Sequence, residues 1–133
     1  MLVYCDSVIL IYYLDAADPF QQIASRRLGQ IRAANGFLAT SDLSRLECRI
    51  KPIRNQDAPT LARFDHFFSA VNVTMLQLTT AAVDLATEIR AKHNFRTTDA
   101  LHLASAVLAG CDLFLTNDRR LARFTDVPVE IVA

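Results

Sequence analysis

Residues 2–14 read LVYCDSVILIYYL, apolar throughout except for Asp6 and Ser7. A lone carboxylate resists removal from water and tends to protonate instead, so Asp6 in this run needs an explanation. Residues 2–5 read as a buried strand, which puts Asp6 at the strand's carboxyl end. Residues 8–14 support two readings. Their β-branched content favours a strand, whereas Asp6 or Ser7 in front of them can cap a helix. Asp6 is then either an ordinary cap or part of a charged site that another group neutralises.

Outward from this segment, short apolar strands alternate with helical patterns. Asp18-Pro19 opens a helix with Pro expected at its first position, and Phe20, Ile23, Ala24, Leu28 and Ile31 form its stripe as far as Asn35-Gly36. FLAT (37–40) is the second strand, followed by a helix capped by Ser41 or Asp42 that should end near Pro52. Residues 57–70 form another helix, with Leu61, Phe64, Phe67 and Phe68 along one side. VNVTML (71–76) is the third strand, and residues 80–93 are a helix with Val83, Ala86 and Ile89 inward. Thr97 or Thr98 caps DALHLASAVLAG, apolar nearly all round and therefore buried. LFLT (113–116), a short helix RRLARF and VEIV (129–132) complete the pattern. Five strands separated by helices predict an α/β domain with a mainly parallel sheet covered on both faces. Such sheets bind ligands beyond the carboxyl ends of their strands, at a switch in strand order.

The composition agrees. The chain has 133 residues, 52% hydrophobic and 21% charged, and one domain over residues 1–133 is expected. The opening run is too short to cross a bilayer, and no basic residue precedes it as in a signal peptide. Cys5, Cys48 and Cys111 are odd in number and far apart, which argues against a disulfide framework or zinc site and fits a cytoplasmic location. Net charge is zero, against a generally basic nucleic-acid binder. The cations are nonetheless nearly all Arg, clustered at 45–54 and 119–123, where solvated helix faces compete with phosphate contacts as explanations.

Three further acids sit oddly. Leu43, Leu46, Glu47 and Ile50 follow helical spacing, which predicts a core-facing stripe with a carboxylate in it. Asp99 enters in the first turn of the most buried helix, where the dipole favours its ionised form. Asp118 follows the fourth strand. Each alone reads as a cap or an edge pair. Jointly, two follow strand ends and two ride on helices packed at the same sheet edge. Four carboxylates gathered there repel unless cations intervene, and hard divalent ions, Mg²⁺ or Mn²⁺, suit an all-oxygen set.

Four segments carry a resemblance: YCDSVILIYYLD (4–15) with Asp6, SRLECRI (44–50) with Glu47, TTDALHLASA (97–106) with Asp99, and FLTND (114–118) with Asp118. In order and spacing they resemble the PIN-domain ribonucleases, and more narrowly the VapC-type toxins of toxin–antitoxin pairs. The resemblance implies a three-layer PIN fold and metal-dependent hydrolysis of RNA phosphodiester bonds, leaving 5′-phosphate and 3′-hydroxyl ends. It assigns one or two Mg²⁺ or Mn²⁺ ions to Asp6, Asp99 and Asp118, with Glu47 either a ligand or a group that orients water. It makes Ser7, Thr116 and Asn117 supporting hydrogen-bonders, and Arg119 and Arg120 candidate phosphate contacts. Some relatives carry an acid where Arg120 stands, which leaves the ion count open. The implied partners are RNA, a small antitoxin and a second copy of the chain, with no membrane.

His102, one turn from Asp99, reads as a core residue bonded to backbone or carboxylate rather than a general base. No Ser–His–Asp or Cys–His pairing is readable. Two other classes compete. An acidic α/β phosphotransfer domain lacks its expected features, with Val8 two residues after Asp6 and only Lys51 and Lys92 as lysines. A non-catalytic PIN-like interaction domain is opposed by the presence of all four acids.

Overall fold

The computed structural model describes residues 1–133. Five strands, β1 (Leu2–Cys5), β2 (Phe37–Ser41), β3 (Val73–Leu76), β4 (Leu113–Thr116) and β5 (Val129–Ile131), form one sheet in the order β3-β2-β1-β4-β5. Every pairing is parallel. The helices are α1 (Ser7–Asp15), α2 (Phe20–Ala33), α3 (Asp42–Arg54), α4 (Ala58–Ser69), α5 (Thr80–His93) and α6 (Thr97–Leu108), with a 3-10 turn over Arg119–Arg123. From β1 the chain runs outward to β2 and β3, then crosses back to place β4 on the other side of β1. The strand order therefore reverses beside β1, and a ligand crevice is expected at the carboxyl ends of β1 and β4.

Side chains alternate across each strand and divide the apolar residues between two cores. Val3, Cys5, Leu38 and Leu115 pack with Ile9, Leu10, Leu28 and Phe64 on the face covered by α1, α2 and α4. Tyr4, Ala39 and Phe114 pack with Ile89, Leu103 and Leu121 on the face covered by α5 and α6. With helices on both faces the strands need no polar side, which is why they read as apolar runs. The three cysteines are free and buried. No helix is long and apolar enough to cross a membrane.

The ambiguous segment after β1 is helical. Asp6 is the N-cap of α1, and its Oδ1 accepts a hydrogen bond from the Ser7 N–H at 2.8 Å. Every residue of α1 is buried or half-buried. A helix enclosed on all sides carries no polar period, so only its cap distinguishes it from a strand.

Helix α3 is turned differently from its sequence pattern. Leu43 is buried, but Leu46 and Ile50 are 58% and 45% exposed and do not join a core-facing stripe. The buried side is Leu43, Ser44, Cys48 and Pro52. Ser44 Oγ accepts from Thr40 Oγ1 at 2.7 Å, and Cys48 Sγ lies 3.7 Å from the Ser7 carbonyl. Small side chains let α3 close on α1, whereas a stripe of leucines would hold it off. Leu46→Ala is expected to change the unfolding free energy by less than about 0.5 kcal/mol, against about 2–3 kcal/mol for Leu43→Ala. Urea denaturation of the two variants checks the helix orientation.

Other boundaries shift. Pro19 is the N-cap of α2, after a cis Asp18–Pro19 bond, rather than its first helical residue. Helix α3 continues past Pro52 to Arg54. Val83 is exposed, and Ala82, Ala86 and Ile89 supply the buried side of α5.

Candidate active site

Four elements deliver the acids to one place. Asp6 caps α1 directly beyond β1, where its backbone N–H continues the β1–β4 ladder to the Leu115 carbonyl at 3.0 Å. Asp99 stands in the first turn of α6, Glu47 mid-way along α3, and Asp118 caps the 3-10 turn after β4. Asp6, Ser7, Glu47, Asp99, Asn117 and Asp118 line a cleft of about 580 Å³, with Arg96, Arg119 and Arg120 along its wall.

Thr116, fully buried at the end of β4, ties the two strand-end acids together. Its hydroxyl donates to Asp6 Oδ2 at 2.8 Å, and its oxygen accepts from the Asp118 N–H at 3.2 Å. Ser7 Oγ donates to Glu47 Oε1 at 2.7 Å and lies 3.2 Å from Ser44 Oγ. Asn117 Nδ2 donates to the Tyr12 hydroxyl at 2.7 Å.

Charge is distributed unevenly among the acids. Asp6 is only 8% exposed. Burial pushes its pKa above the usual carboxylate range, against the lowering influence of His102 and Thr116 and with Asp99 adding to the rise. Burial acts on Glu47 as well, but there the hydrogen bonds from His102 and Ser7, with the positive charge of Arg96, prevail and hold its pKa below the ordinary value. Asp118 is held low by its hydrogen bonds from Arg120, whose Nη2 lies 2.5 Å from Oδ2.

Arg120 and Arg96 both bridge Asp99 and Asp118. Arg96 Nε is 3.2 Å from Asp99 and its Nη2 is 3.5 Å from Asp118, while Arg120 Nη2 is 3.9 Å from Asp99. With guanidinium groups between these acids, no three carboxylate, imidazole or thiol side chains close on a single point. The donors are nevertheless those a hard divalent ion takes. The place between Asp99 and Asp118 is one that already collects positive charge. Both arginine side chains are mostly exposed, 66% and 60%, so their swing into solvent is unobstructed by burial.

The sequence profile of the PIN domain matches residues 3–127, nearly the whole chain. The chain belongs to the PIN-domain family. Several solved structures share this PIN fold. VapBC2 from Rickettsia felis, solved bound to a DNA fragment from its promoter, aligns with a TM-score of 0.80 at 15% identity over 98% of each chain. VapBC-1 from nontypeable Haemophilus influenzae aligns at 0.75 and 16% identity over 98% of each chain. VapC20 from Mycobacterium tuberculosis, described as a sarcin–ricin loop cleaving toxin, aligns at 0.74 and 17% identity over 95% of this chain and 98% of its own. Comparison with curated proteins finds no match.

In and beneath the PIN domain's cleft lie Arg96 and Tyr4, which the sequence did not single out, and His102, which it read only as a core residue. Arg96, immediately before α6, reaches both Asp99 and Asp118; its i,i+3 spacing to Asp99 was a readable signal. Beneath Glu47 lies a buried polar chain of His102, Tyr4 and Ser41. Tyr4 had a weaker signal, as the one polar-tipped residue of β1, pointing opposite to Val3 and Cys5. Of the two Arg clusters, several members are used structurally. Arg49 pairs with Asp65 at 2.9 Å, and Arg123 stacks 4.6 Å from the Phe95 ring centroid. Arg119 is exposed at the cleft rim.

Proposed function

We propose that this PIN domain is a divalent-metal-dependent endoribonuclease acting as the toxin of a cytoplasmic toxin–antitoxin pair. The observation that carries this reading is the gathering of Asp6, Glu47, Asp99 and Asp118, from four separate elements, into one cleft at the sheet's switch point. In the proposal Asp6, Asp99 and Asp118 hold one or two Mg²⁺ or Mn²⁺ ions, and Glu47 is a further ligand or orients the attacking water. The ion supplies Lewis acidity, acidifying water and offsetting the negative charge that gathers on the phosphate.

The chain's own groups divide the remaining work. Thr116 and Ser7 fix the rotamers of Asp6 and Glu47, so the acids meet the ligand without reorganising. Asn117, anchored on Tyr12, stiffens the turn that presents Asp118. In the proposal Arg119 and Arg120, on the cleft wall, contact phosphates flanking the scissile bond, and phosphate contacts of this kind position rather than specify. The VapBC complexes among the structural neighbours support a small antitoxin as partner, and a homodimer is the proposed resting assembly.

The test is cleavage of a cellular RNA pool by the native chain and by Asp99→Asn, each with Mn²⁺ or chelator. Cutting by the native chain alone, and only with metal, is the expected result. Equal cutting by both proteins would move the site elsewhere.

The arginines between Asp99 and Asp118 favour one second reading, a PIN domain that keeps the fold as an interaction module with its acids neutralised internally. Metal binding separates the two. As a nuclease, the chain is expected to bind Mn²⁺, and Arg120→Gln to tighten that binding severalfold by removing a competing cation, as read by calorimetry or Mn²⁺ EPR. An absence of Mn²⁺ binding in both proteins would favour the interaction module.

A further inference from the structure

His102 is 1% exposed, yet both of its ring nitrogens meet polar partners beneath the cleft. Its Nε2 lies 2.6 Å from Glu47 Oε1, 3.2 Å from Ser7 Oγ and 3.5 Å from Asp6 Oδ1. Its Nδ1 lies 2.7 Å from the Tyr4 hydroxyl, which in turn lies 2.8 Å from Ser41 Oγ. Tyr4 is itself wholly buried, its ring stacked on Phe114 at 5.2 Å between centroids. Hydrogen bonds in such a dry setting are strong when all are satisfied and costly when one is missing.

We propose that His102 is a positioning residue for Glu47, and that Tyr4 in turn positions His102. The inference rests on the nuclease reading above and names how one of its acids is kept in place. Glu47 rides on α3 with a long side chain that is 30% exposed, so backbone structure alone does not fix its carboxylate and its hydrogen bonds from Ser7 and His102 must.

The proton arrangement follows from the donor inventory. An ionised carboxylate only accepts, so at 2.6 Å the imidazole Nε2–H donates to Oε1, beside the Ser7 hydroxyl. Both bonds fall on the same oxygen, which leaves Oε2 for a ligand in the cleft. The tyrosine hydroxyl holds the ring's other nitrogen and stops the imidazole from turning about its own axis. The chain Tyr4–His102–Glu47 thus carries the rigidity of the second core, through α6, to a carboxylate that enters on the opposite side of the sheet.

Tyr4→Phe, His102→Gln and His102→Leu test this in the full chain, with Mn²⁺ and a defined RNA that the native protein cuts. Loss of a supporting partner typically costs about ten- to a hundredfold. His102→Leu is expected to lower kcat by that factor with KM for RNA unchanged. His102→Gln retains an N–H donor and is expected to recover much of the loss. Tyr4→Phe removes one buried oxygen and nothing else from the ring, and is expected to lower kcat by about tenfold. If His102→Leu does not fold, Tyr4→Phe and His102→Gln decide the matter.

The second readout needs no catalysis. In the native protein the His102 Nε2–H is expected as a solvent-protected imidazole resonance by NMR, and Tyr4→Phe is expected to speed its exchange. Native kcat in both Tyr4→Phe and His102→Gln, or a loss expressed only in KM, would overturn the proposal. So would a rapidly exchanging His102 N–H in the native protein. If the native chain cuts no RNA, it is the nuclease reading that fails, and the NMR result still decides the His102–Glu47 contact.

Discussion

On the nuclease reading proposed above, Asp6→Asn is expected to cut the RNA-cleaving rate by about a thousandfold or more, because losing a proposed ligand to the ion would remove several kcal/mol of transition-state stabilisation. The same substitution is expected to stabilise the metal-free protein at neutral pH. Asp6 is buried, and its pKa is raised above the ordinary carboxylate value chiefly by that burial. The folded chain therefore takes up a proton at Asp6 more readily than the unfolded chain, whose Asp titrates near about 3.9. By linkage, stability is greatest while Asp6 is protonated and falls as pH rises from that unfolded value through the raised folded one. Asn is neutral throughout and lacks this decline. Its amide oxygen still accepts from the Ser7 N–H, while the bond to Thr116 is reversed, the amide N–H donating to Thr116 Oγ1 where the Thr116 hydroxyl now donates to Asp6 Oδ2. Glu47 and Asp118, with lowered pKa values, act in the opposite sense and lose their contribution as pH falls. The variant-minus-native difference isolates Asp6. Calorimetry in chelator at pH 5 and pH 7.5 is expected to show the variant's advantage growing at the higher pH. Parallel melting profiles would show that Asp6 is not burdened by its setting.

Phe114→Ala is expected to be the most damaging single change to the fold, at about 3–5 kcal/mol and roughly 10–20 °C in melting temperature. Phe114 is fully buried in β4, paired to both β1 and β5, and lies parallel to Tyr4 with only 4° between ring planes. Its removal opens a cavity between the sheet and α6 that neighbouring strands are too constrained to fill. Tyr4 loses the surface that holds its ring, so the proposed RNA cleavage is expected to fall even at temperatures where the variant remains folded. Phe37, 60% exposed at the start of β2, provides the contrast. Phe37→Ala is expected to stay within about 0.5 kcal/mol of the native protein, and thermal melts of the two variants make the comparison.

The predicted order of strands and helices matches the observed one because each element's apolar period is a local property, and because Gly, Pro and cap residues punctuate it. Asp6 and Asp118 were legible as acids beyond strand ends for the same reason. Glu47 was legible only by its incongruity: its supposed apolar companions Leu46 and Ile50 prove to be on the surface, while Ser44 and Cys48 face inward. Periodicity ranks residues by hydrophobicity, whereas α3 is oriented by how closely its small side chains let it approach α1. His102 was read as a core residue bonded to backbone or carboxylate; it is buried and its partner is a carboxylate, but nothing in ALHLASA chooses between the two or names Glu47.

By itself, the sequence determined the alternation of five strands with helices, the burial of both sheet faces and the placing of acids at element ends. These are consequences of local pattern and of the free energy of burying apolar surface. The tertiary structure alone decided that α1 is a helix enclosed on every side, that Arg96 and Arg120 stand between Asp99 and Asp118, and that Tyr4 and His102 meet under Glu47. Tyr4 and His102 are 98 residues apart in the chain, and only the crossing of β4 back beside β1 brings α6 over β1. Contacts of that kind depend on relative orientation in three dimensions, which no local period encodes.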